Sequence, residues 1–464
     1  MKYITERIKI SFLLVFSAML ILSSCNKAPD QVYGSAFVAP TGNSLAVTIA
    51  AIANDSLYYK LIIRGGMLAT INSLPNTYTM FVPDNNAMRV FINAISGGLV
   101  PLAAPDPVFV GFINANIPVA SAAGIVSYNI CPQAITTASI PSTFPNFQYP
   151  SILNPAPALS ALLRLTTFPS TRNGNWVNNV PLSAVNTLSA NGVIHTTAAV
   201  VVPPSRYLWD RVNTDADLTI FRAAFVRADS GVAPTASTSL IGALNNIGAN
   251  LTVFAPSNAA FKAILSALTG GAIPVANYVS ASGATNVGTT VTVTSTTGLV
   301  PGMGLTVTAG AGAFAANTVV VSVVNSTSFT VSATLTTPLS GGAVVTGNSE
   351  QAFISFLGSN SISTTTVKGI VVYHILGNRA FTNNLPTTAT SYPTLLNGAV
   401  PTHPGVSLVC TFTGLNVTSA TVKGVVNATA SAIALNPTPD PGGTSDQHFL
   451  NGTLHKINQV LLPQ

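Results

Sequence analysis

The sequence predicts an α+β protein, mainly β, that contains two copies of one domain and an all-β module inserted in the second copy. Three observations lead to this prediction. Two boxes of residues occur twice in the same order along the chain. Each copy combines short β-type runs with helical patterns. A stretch around residue 300 alternates apolar and polar residues between Gly, Pro and Asn turns, which suits strands.

Composition favours a folded, exported protein. The 464 residues are 48% hydrophobic and 6% charged, whereas disorder requires low hydrophobicity and high charge. The formal net charge is +6, but the basic residues are scattered singly and form no stripe that could follow a phosphate backbone. We therefore expect no nucleic-acid partner.

Residues 1–24 resemble a bacterial lipoprotein signal peptide. A positively charged head precedes an apolar run that is too short to span a bilayer, and the run ends in Leu22-Ser23-Ser24-Cys25. In such signals the cysteine thiol accepts a diacylglyceryl group and becomes the new N-terminus. We predict lipid attachment at Cys25 and a tether over residues 25–41. The mature protein would be exported and anchored to the bacterial envelope, at the outer membrane or the cell surface.

The first repeated box is a β run that ends in proline and passes into a helix. It reads Thr79-Met80-Phe81-Val82-Pro83-Asp84-Asn85-Asn86-Ala87 in the first copy and Thr252-Val253-Phe254-Ala255-Pro256-Ser257-Asn258-Ala259-Ala260 in the second. Asp84 and Ser257 are predicted helix N-caps, because their side-chain oxygens can accept a hydrogen bond from an unpaired backbone N–H.

The second repeated box closes each copy. It reads Asn191-Gly192-Val193-Ile194-His195 in the first copy and Asn451-Gly452-Thr453-Leu454-His455 in the second. Asn-Gly is a strong hairpin signal because both residues tolerate positive φ. The β run that follows each Asn-Gly pair is predicted to end at Pro203 or Pro463.

Together with Tyr373-His374, these boxes resemble the signatures of the fasciclin domain, over residues 42–204 and 205–464. For each copy the resemblance implies a wedge-shaped β-sandwich flanked by helices. In the second copy, five apolar residues fit one helical face that opens the domain, namely Leu208, Val212, Leu218, Phe221 and Phe225.

The resemblance also makes Tyr373 and His374 candidate ligand-binding residues, since this motif is associated with integrin recognition in animal relatives. The alternative is a buried structural pair whose histidine is hydrogen-bonded inside the domain. The first copy has Tyr128-Asn129 in this place, which departs from the pattern of the family. His195 and His455, at matched positions on β runs, are interpreted as structural.

Residues 279–347 have no counterpart in the first copy and contain no Lys, Arg, Asp or Glu. Four runs within them alternate with period two and are separated by turn residues: 290–294, 305–308, 319–323 and 329–332. We interpret this stretch as a small all-β module inserted in a surface loop, where added length costs little closure entropy.

No motif in the sequence predicts catalysis, a cofactor or a metal site. Glu350 is the only glutamate after residue 24, so chemistry by paired glutamates is excluded. The chain has no His-Glu-x-x-His, no Gly-x-Ser-x-Gly and no phosphate-binding loop, and its three cysteines allow no zinc spacing. We expect a protein that is not an enzyme and holds no cofactor.

For two oxygen-rich runs and two cysteines we prefer a structural interpretation to a metal site or a disulfide. Residues 213–217 suit a helix N-cap better than a calcium loop, and Asp440, Asp446 and His448 suit a solvated turn better than a metal site. Cys131 and Cys410 are expected to be small buried side chains rather than a disulfide.

The leading functional prediction is a lipid-anchored adhesion or ligand-binding protein of the cell envelope. Its two fasciclin-type domains would contact glycans, matrix or neighbouring cells, and its partners would be the membrane, through Cys25, and a glycan or protein ligand. The alternative is a non-catalytic envelope scaffold of a polysaccharide-handling system. A hydrolase is disfavoured because glutamate is nearly absent and the histidines are scattered.

Overall fold

The computed structural model describes residues 42–74, 76–437 and 442–464. Helices and strands are mixed along the chain and the strands form several separate sheets, so the predicted α+β class is confirmed. The predicted signal peptide, Cys25 and the tether lie outside the described residues. Below, residues 42–204 are called domain 1 and residues 205–464 domain 2.

Domain 1 begins with helices and ends with strands. Its helices are α1 (Leu45–Ala51), α2 (Ser56–Arg64), α3 (Leu68–Ile71), α4 (Asn85–Ile95), α5 (Asp106–Asn116) and α6 (Val119–Tyr128). Its strands are β1 (Tyr78–Pro83), β2 (Ile130–Cys131), β3 (Tyr149–Pro150), β4 (Thr166–Thr167), β5 (Pro169–Ser170), β6 (Trp176–Val177), β7 (Val180–Ser189) and β8 (Gly192–Thr197). Six of them form one sheet in the order β2-β1-β8-β7-β6-β5, with β1 parallel to β8.

Domain 2 repeats this order of elements and adds to it. Its helices are α7 (Leu208–Thr214), α8 (Thr219–Ala228), α9 (Leu240–Leu244), α10 (Asn258–Leu268), α11 (Ser349–Gly358) and α12 (Thr364–Tyr373). Its strands are β9 (Leu251–Pro256), β10 (Tyr278–Ala281), β11 (Thr290–Thr292), β12 (Gly304–Ala309), β13 (Val320–Asn325), β14 (Ser328–Val331), β15 (Val344–Asn348), β16 (Ile375–Leu376), β17 (Thr390–Tyr392), β18 (Val406–Thr413), β19 (Asn416–Lys423), β20 (Ser431–Ala432), β21 (Gln447–Phe449) and β22 (Gly452–Ile457).

The central strand pair has the same arrangement in both domains. In domain 1, β1 lies between antiparallel β2 and parallel β8, and in domain 2, β9 lies between antiparallel β16 and parallel β22. The registers also correspond, since Phe81 pairs with His195 and Phe254 pairs with His455. The two repeated boxes therefore lie side by side in each domain, in matching surroundings.

The central strands place alternate side chains on opposite faces of the sheet, as β geometry requires. Met80 and Val82 pack with the helices of domain 1, whereas Phe81 packs with strand and loop residues on the other face. In domain 2, Val253 packs with the helices and Phe254 with β18 and β19. The central strand pair of each domain thus has a hydrophobic cluster on each of its two faces.

Both predicted N-caps are confirmed. The side chain of Asp84 accepts a hydrogen bond from the N–H of Ala87 at 2.8 Å, and that of Ser257 accepts one from the N–H of Ala260 at 3.2 Å. A cap of this kind contributes about 1 kcal/mol. The strand that ends at proline therefore passes directly into an anchored helix in each domain.

The start of domain 2 differs from the single helical face that its apolar pattern predicts. The five apolar residues of that pattern are all buried, but two belong to α7 and two to α8, whereas Leu218 ends a short 3₁₀ turn that lies between these helices. The side chain of Asp215 accepts the N–H of Asp217 at 2.9 Å and starts this turn. Asp215 also pairs with Lys456 at 2.7 Å and with Arg211 at 3.0 Å, which agrees with the capping interpretation of residues 213–217.

The hairpins at the two Asn-Gly pairs form, but for a different reason from the one predicted. Neither Gly192 nor Gly452 has a positive φ. Each begins a strand, and a Cβ atom on either would lie 2.1 or 2.4 Å from the carbonyl oxygen of Tyr78 or Leu251 on the parallel neighbour. Glycine is needed there because two backbones approach closely.

The β runs after these hairpins end earlier than predicted. β8 ends at Thr197 and β22 at Ile457, before the prolines at 203 and 463. Beyond each strand a backbone group bonds to a side chain at the end of a helix: the carbonyl of Val201 accepts from Asn129, and the N–H of Leu461 donates to His374.

The strands between residues 278 and 348 pair with one another in two three-stranded sheets, in the orders β10-β15-β12 and β11-β14-β13. They enclose a hydrophobic cluster of their own, which includes Val291, Met303, Phe329 and Val345. The first and last strands are neighbours, because Tyr278 pairs with Gly347.

Within the described ranges, none of the helices alone has both the length and the apolar character needed to cross a membrane. Two pairs of consecutive helical segments reach that length together, but they bend by 102° and 109° where they join.

Candidate functional site

His374, one of the two candidate ligand-binding residues, is fully buried at the C-terminal end of α12. Its Nδ1 lies 2.8 Å from the carbonyl oxygen of Ile370, and its Nε2 accepts the N–H of Leu461 at 2.9 Å. Because a backbone N–H can only donate, Nε2 is the acceptor and Nδ1 carries the proton. Burial lowers the pKa of His374 to about 4, so the ring is neutral at physiological pH.

Tyr373, the second candidate, is also fully buried. Its hydroxyl donates to the carbonyl of Gly405 at 2.6 Å and accepts the N–H of Val425 at 3.0 Å. Burial raises the pKa of Tyr373. The pair thus connects α12 to the loop before β18 and to the C-terminal segment, which is the structural alternative considered from the sequence. A ligand-binding role for Tyr373 and His374 stays a prediction that would require their exposure.

Asn129 performs in domain 1 the packing role of His374. Its amide nitrogen donates to the carbonyl of Ile125 at 2.9 Å and to that of Val201 at 2.8 Å. The backbone is matched too, since the N–H of Phe81 bonds to the carbonyl of Asn129 as the N–H of Phe254 bonds to that of His374. Although the first copy has Asn where the family pattern has His, the end of the helix is therefore connected to the C-terminal segment of the domain in both copies.

His195 and His455 occupy equivalent buried sites beside the central strands. Each ring stacks on the phenylalanine opposite, with centroids 5.8 Å apart. Nε2 lies 2.8 Å from the carbonyl oxygen of Ile135 in domain 1 and 3.0 Å from that of Ala380 in domain 2. Burial lowers the pKa of both histidines. These contacts agree with the structural interpretation of this pair.

A cluster that sequence reasoning missed lies where the two domains meet. Arg379 is buried, and its guanidinium donates to Nε2 of His448 at 2.6 Å and to the side-chain oxygen of Asn250 at 3.0 Å. It also lies 4.7 Å from the ring centroid of Phe168 in domain 1. Since arginine has no acceptor, His448 must be neutral. The adjacent guanidinium adds to burial in lowering the pKa of His448 well below its usual value.

Uncharged polar side chains complete this junction. The hydroxyl of Ser170 donates to the side-chain oxygen of Asn384 at 2.7 Å. The amide nitrogen of Asn173 donates to the carbonyl of Asn383 at 3.0 Å, and the amide nitrogen of Asn383 donates to the carbonyl of Asn178 at 3.1 Å. One signal in the sequence could have drawn attention here, because Arg379 is the only Lys, Arg, Asp or Glu between residues 369 and 422.

The solvated turn predicted around Asp446 and His448 is wrong. The carboxylate of Asp446 is buried and accepts both the N–H and the hydroxyl of Thr382, at 2.7 and 2.6 Å. His448 belongs to the junction between the domains, and Asp440 lies outside the described residues. In the described part of the chain, no group of three or more His, Cys, Asp or Glu side chains is placed to hold a metal ion.

Cys131 and Cys410 are free and buried, as expected from the sequence. The thiol of Cys131 lies 3.3 Å from the hydroxyl of Thr167, and that of Cys410 donates to the carbonyl of Leu385 at 3.1 Å. Burial raises the pKa of each thiol to about 12. Neither is therefore a reactive thiolate at neutral pH.

Asp55 is a buried carboxyl in an unfavourable place. It is 1% exposed, and neither of its oxygens has a hydrogen-bond partner among the described residues. Burial, and secondarily the charge of Asp84, raise its pKa to about 6. In domain 2 the equivalent position is occupied by Leu218, which is buried. Two matching hydrogen bonds establish the equivalence. The side chain of Asn85 accepts the N–H two residues after Asp55, and that of Asn258 accepts the N–H two residues after Leu218.

Comparison with known proteins gives one distant structural similarity. No protein-family model matches the chain, and no curated protein matches it. Among solved structures, a FAS1 domain pair from the insect cell adhesion molecule Fasciclin I is similar over 87% of this chain and 95% of that chain, at 12% identity and a TM-score of 0.29. A TM-score of 0.29 is too low to show that the two proteins share a fold or a function. The function proposed for this chain is therefore based on its internal repeat.

Proposed function

We propose that this protein is a lipid-anchored, non-catalytic adhesion or ligand-binding protein of the bacterial envelope. It would carry two fasciclin-type, wedge-shaped β-sandwich domains, the second with an inserted β module. The observation that supports this most is the repetition itself. Both motif boxes, and the Tyr-His or Tyr-Asn pair between them, take equivalent positions around the central strands of both domains.

The surroundings of the titratable groups favour binding over catalysis. His195, His374 and His455 are fully buried, and their ring nitrogens lie at hydrogen-bonding distance from backbone groups. A general acid or base must instead reach a substrate proton. Only 6% of the residues are charged, so uncharged side chains such as those of Thr, Ser and Asn must supply most of the polar surface for recognition.

The inserted module supplies an exposed array of such side chains, which we propose as the contact element for glycans. On one of its sheets the hydroxyls of Ser322 and Thr330 lie 2.7 Å apart on neighbouring strands, and on the other those of Thr308 and Thr346 lie 3.1 Å apart. Hydroxyl pairs without nearby charge suit the neutral hydroxyl groups of polysaccharides, which offer donors and acceptors together.

A glycan-binding measurement with and without the module tests this function. The complete chain after residue 25 is compared on a glycan array with a chain in which residues 279–347 are replaced by a short glycine link, since Tyr278 and Gly347 are adjacent. We expect binding to be lost on deletion. It should be retained in His374→Asn, because Asn129 fills the equivalent buried role in domain 1. Unchanged binding on deletion would assign the module a spacer role.

A further inference from the structure

In domain 1 the hairpin of β3 and β4 carries a loop whose outer part is apolar and exposed. Residues 157–162 have the sequence Pro-Ala-Leu-Ser-Ala-Leu, and all six are exposed. Leu159 is 70% exposed and Leu162 is 87% exposed. Single exposed leucines are common on protein surfaces, but two in one uncharged run indicate a contact surface. Residues 154–164 are called the domain 1 tip below.

Hydrogen bonds within the domain 1 tip hold the two leucines close together. The N–H of Leu159 bonds to the carbonyl of Ala156 at 2.9 Å. The N–H of Leu162 bonds to the hydroxyl oxygen of Ser160 at 3.2 Å. The side chain of Asn154 donates to the carbonyl of Ser160 at 2.8 Å and connects the middle of the tip to its start. Because only two residues separate the leucines, their Cα atoms lie within about 11 Å of each other, and both belong to the end of one closed loop.

Domain 2 has an equivalent loop, which a matching hydrogen bond identifies. In domain 1 the hydroxyl of Tyr128 donates to the carbonyl of Thr166 at 3.0 Å. In domain 2 the hydroxyl of Tyr373 donates to the carbonyl of Gly405 at 2.6 Å. In both domains the residue after this carbonyl pairs with a tyrosine on the preceding strand. The loop between β17 and β18 therefore corresponds to the loop between β3 and β4.

The equivalent loop of domain 2 packs its leucines against the domain. Leu395 is partly buried against the helices of domain 2, and Leu396 is partly buried against the cluster on the other face of the central strands. His403 connects the same loop to the C-terminal segment, since its Nε2 lies 3.0 Å from the carbonyl oxygen of Pro463. This connection of the fold can thus bury its leucines, so their exposure in domain 1 is a property of that tip.

A positive charge lies beside the apolar part of the domain 1 tip. Arg164 is exposed, and its Nη1 donates to the carbonyls of Ala161 and Leu163 at 2.8 and 2.7 Å. Because a guanidinium has five N–H donors, these two bonds leave others for a phosphate oxygen. The sequence contains no Asp or Glu between Asp106 and Asp210. An apolar end next to a cation, in a stretch of chain without carboxylates, matches the hydrocarbon and phosphate layers of a lipid bilayer.

We propose that the domain 1 tip inserts into a lipid bilayer, with Leu159 and Leu162 among the acyl chains and Arg164 at the phosphates. The proposal rests on the proposed function, because an envelope location brings the chain to a membrane. It adds a second contact to the lipid predicted at Cys25, and one lipid chain combined with a second contact anchors a protein better than either alone. The N–H groups of both leucines are bonded inside the tip, so they enter lipid without losing a hydrogen bond to water.

The size of the domain 1 tip favours a bilayer over a protein partner. A standard protein interface buries about 800 Å² on each partner, and an exposed run of six residues offers far less than that. A bilayer requires no complementary shape, and each leucine removed from water contributes in proportion to its apolar area. The resulting contact is weak and reversible.

Co-sedimentation with vesicles of equimolar phosphatidylcholine and phosphatidylglycerol tests this insertion. The complete chain after residue 25 is used without lipid, so that the tip is the only proposed attachment. We expect the parent chain to bind, and Leu159→Ser with Leu162→Ser to lower its partition coefficient about tenfold or more. Leu99→Ser with Leu102→Ser is the matched control. It changes leucines that are 86% and 51% exposed elsewhere in domain 1, and it should bind like the parent chain.

A tryptophan at the tip distinguishes insertion from attraction to the vesicle surface. The fluorescence of Leu162→Trp should shift to the blue on vesicles and should be quenched by lipids brominated along their acyl chains. Leu99→Trp should show neither effect, and the two native tryptophans are common to both variants. Arg164→Gln should weaken binding to the mixed vesicles more than binding to pure phosphatidylcholine, because it removes the charge that faces anionic headgroups.

The proposal is overturned if the parent chain does not bind vesicles, if both leucine pairs affect binding equally, or if the tryptophan at position 162 is not quenched. Self-association that the tip variant abolishes, without vesicle binding, would assign the tip to a second copy of the chain and would also overturn it. Unchanged melting temperatures establish that the variants fold. Failure here leaves the proposed function intact, because lipid attachment at Cys25 is measured by the mass of the exported protein and glycan binding by the array.

Discussion

At the scale of single residues, a few positions differ between the domains in a way that changes their chemistry. Asn129 and His374 are chemically different but make the same two connections. Asp55 and Leu218 also correspond, but they are not equivalent, because a carboxyl without hydrogen bonds replaces an apolar side chain in a buried place. Removing a charge from water without a partner is costly.

Replacing Asp55 by the residue of domain 2 should therefore stabilise the protein at neutral pH. The folded-state pKa of Asp55 is raised to about 6 from 3.8, so the folded protein holds its proton more tightly. Below pH 3.8 the carboxyl is protonated in both states, so it does not lower the free energy of unfolding. Above pH 6 it is ionised in both states, and the full destabilisation of the folded state is present. Asp55→Leu should gain up to about 3 kcal/mol in free energy of unfolding at pH 7 and much less at pH 4.

Urea denaturation of both proteins across this pH range measures the effect. Asp55→Asn is the control, since it removes the charge but leaves a buried polar group, and its gain should be smaller. A constant difference between wild type and Asp55→Leu from pH 4 to pH 7 would mean that ionisation of this carboxyl does not affect stability.

At the scale of elements, the sequence predicted what depends on local chemistry. Neighbouring residues determine the proline-terminated strands, the N-caps at Asp84 and Ser257 and the alternating runs of the module. Each of these features lies within a few positions of where the sequence predicts it. The helix break at Asp215 was missed, because a buried apolar periodicity continues across it. The Asn-Gly hairpins were found for the wrong reason, since the need for glycine arises from a strand that is distant in sequence.

Gly192→Ala and Gly452→Ala should be strongly destabilising because of that close approach. The added methyl group would lie 2.1 and 2.4 Å from a backbone carbonyl oxygen, and neither strand can move without breaking the central pair. We expect a loss of about 3 kcal/mol or more for each. Gly124→Ala on α6, where a Cβ meets nothing within 4 Å, should instead gain about 0.5–1 kcal/mol. Thermal denaturation followed by circular dichroism distinguishes these outcomes, and similar melting temperatures for all three variants would contradict the steric explanation.

At the scale of the whole molecule, the junction between the domains was not predictable from the sequence. Its hydrogen bonds join uncharged residues more than 200 positions apart, such as Ser170 with Asn384 and Asn173 with Asn383. Neither composition nor periodicity marks such residues. Tyr373 and His374 illustrate the converse, because a motif drew attention to two side chains that the fold buries.

Removal of Arg379 should uncouple the two domains. The side chain donates to Asn250, His448 and two backbone carbonyls within domain 2. These bonds hold the guanidinium and the ring of His448 against Phe168 of domain 1. Arg379→Met leaves these acceptors unsatisfied, at a cost of about 2–4 kcal/mol. Calorimetry should show one transition for the parent chain and two for the variant, whereas Arg164→Met, which removes an exposed arginine bonded to its own loop, should retain one. A single transition in Arg379→Met would show that the junction does not depend on this side chain.

Low pH should weaken the same junction through protonation of His448. His448 must be neutral to accept from Arg379, and its folded pKa lies well below 6.5. Since the unfolded chain takes up this proton first, the contribution of the junction to stability falls as the pH drops below 6.5.

The side-by-side exit of β10 and β15 has a mechanical consequence. Tension applied at the tip of the module enters domain 2 through Tyr278 and Gly347 together, at one point of the fold. From there the load passes along the chain to α10 and α11, while the parallel β9 and β22 pair lies off this path. A pull on the module would therefore load its root, where the first and last strands meet, before it loaded the central sheet of the domain that carries it.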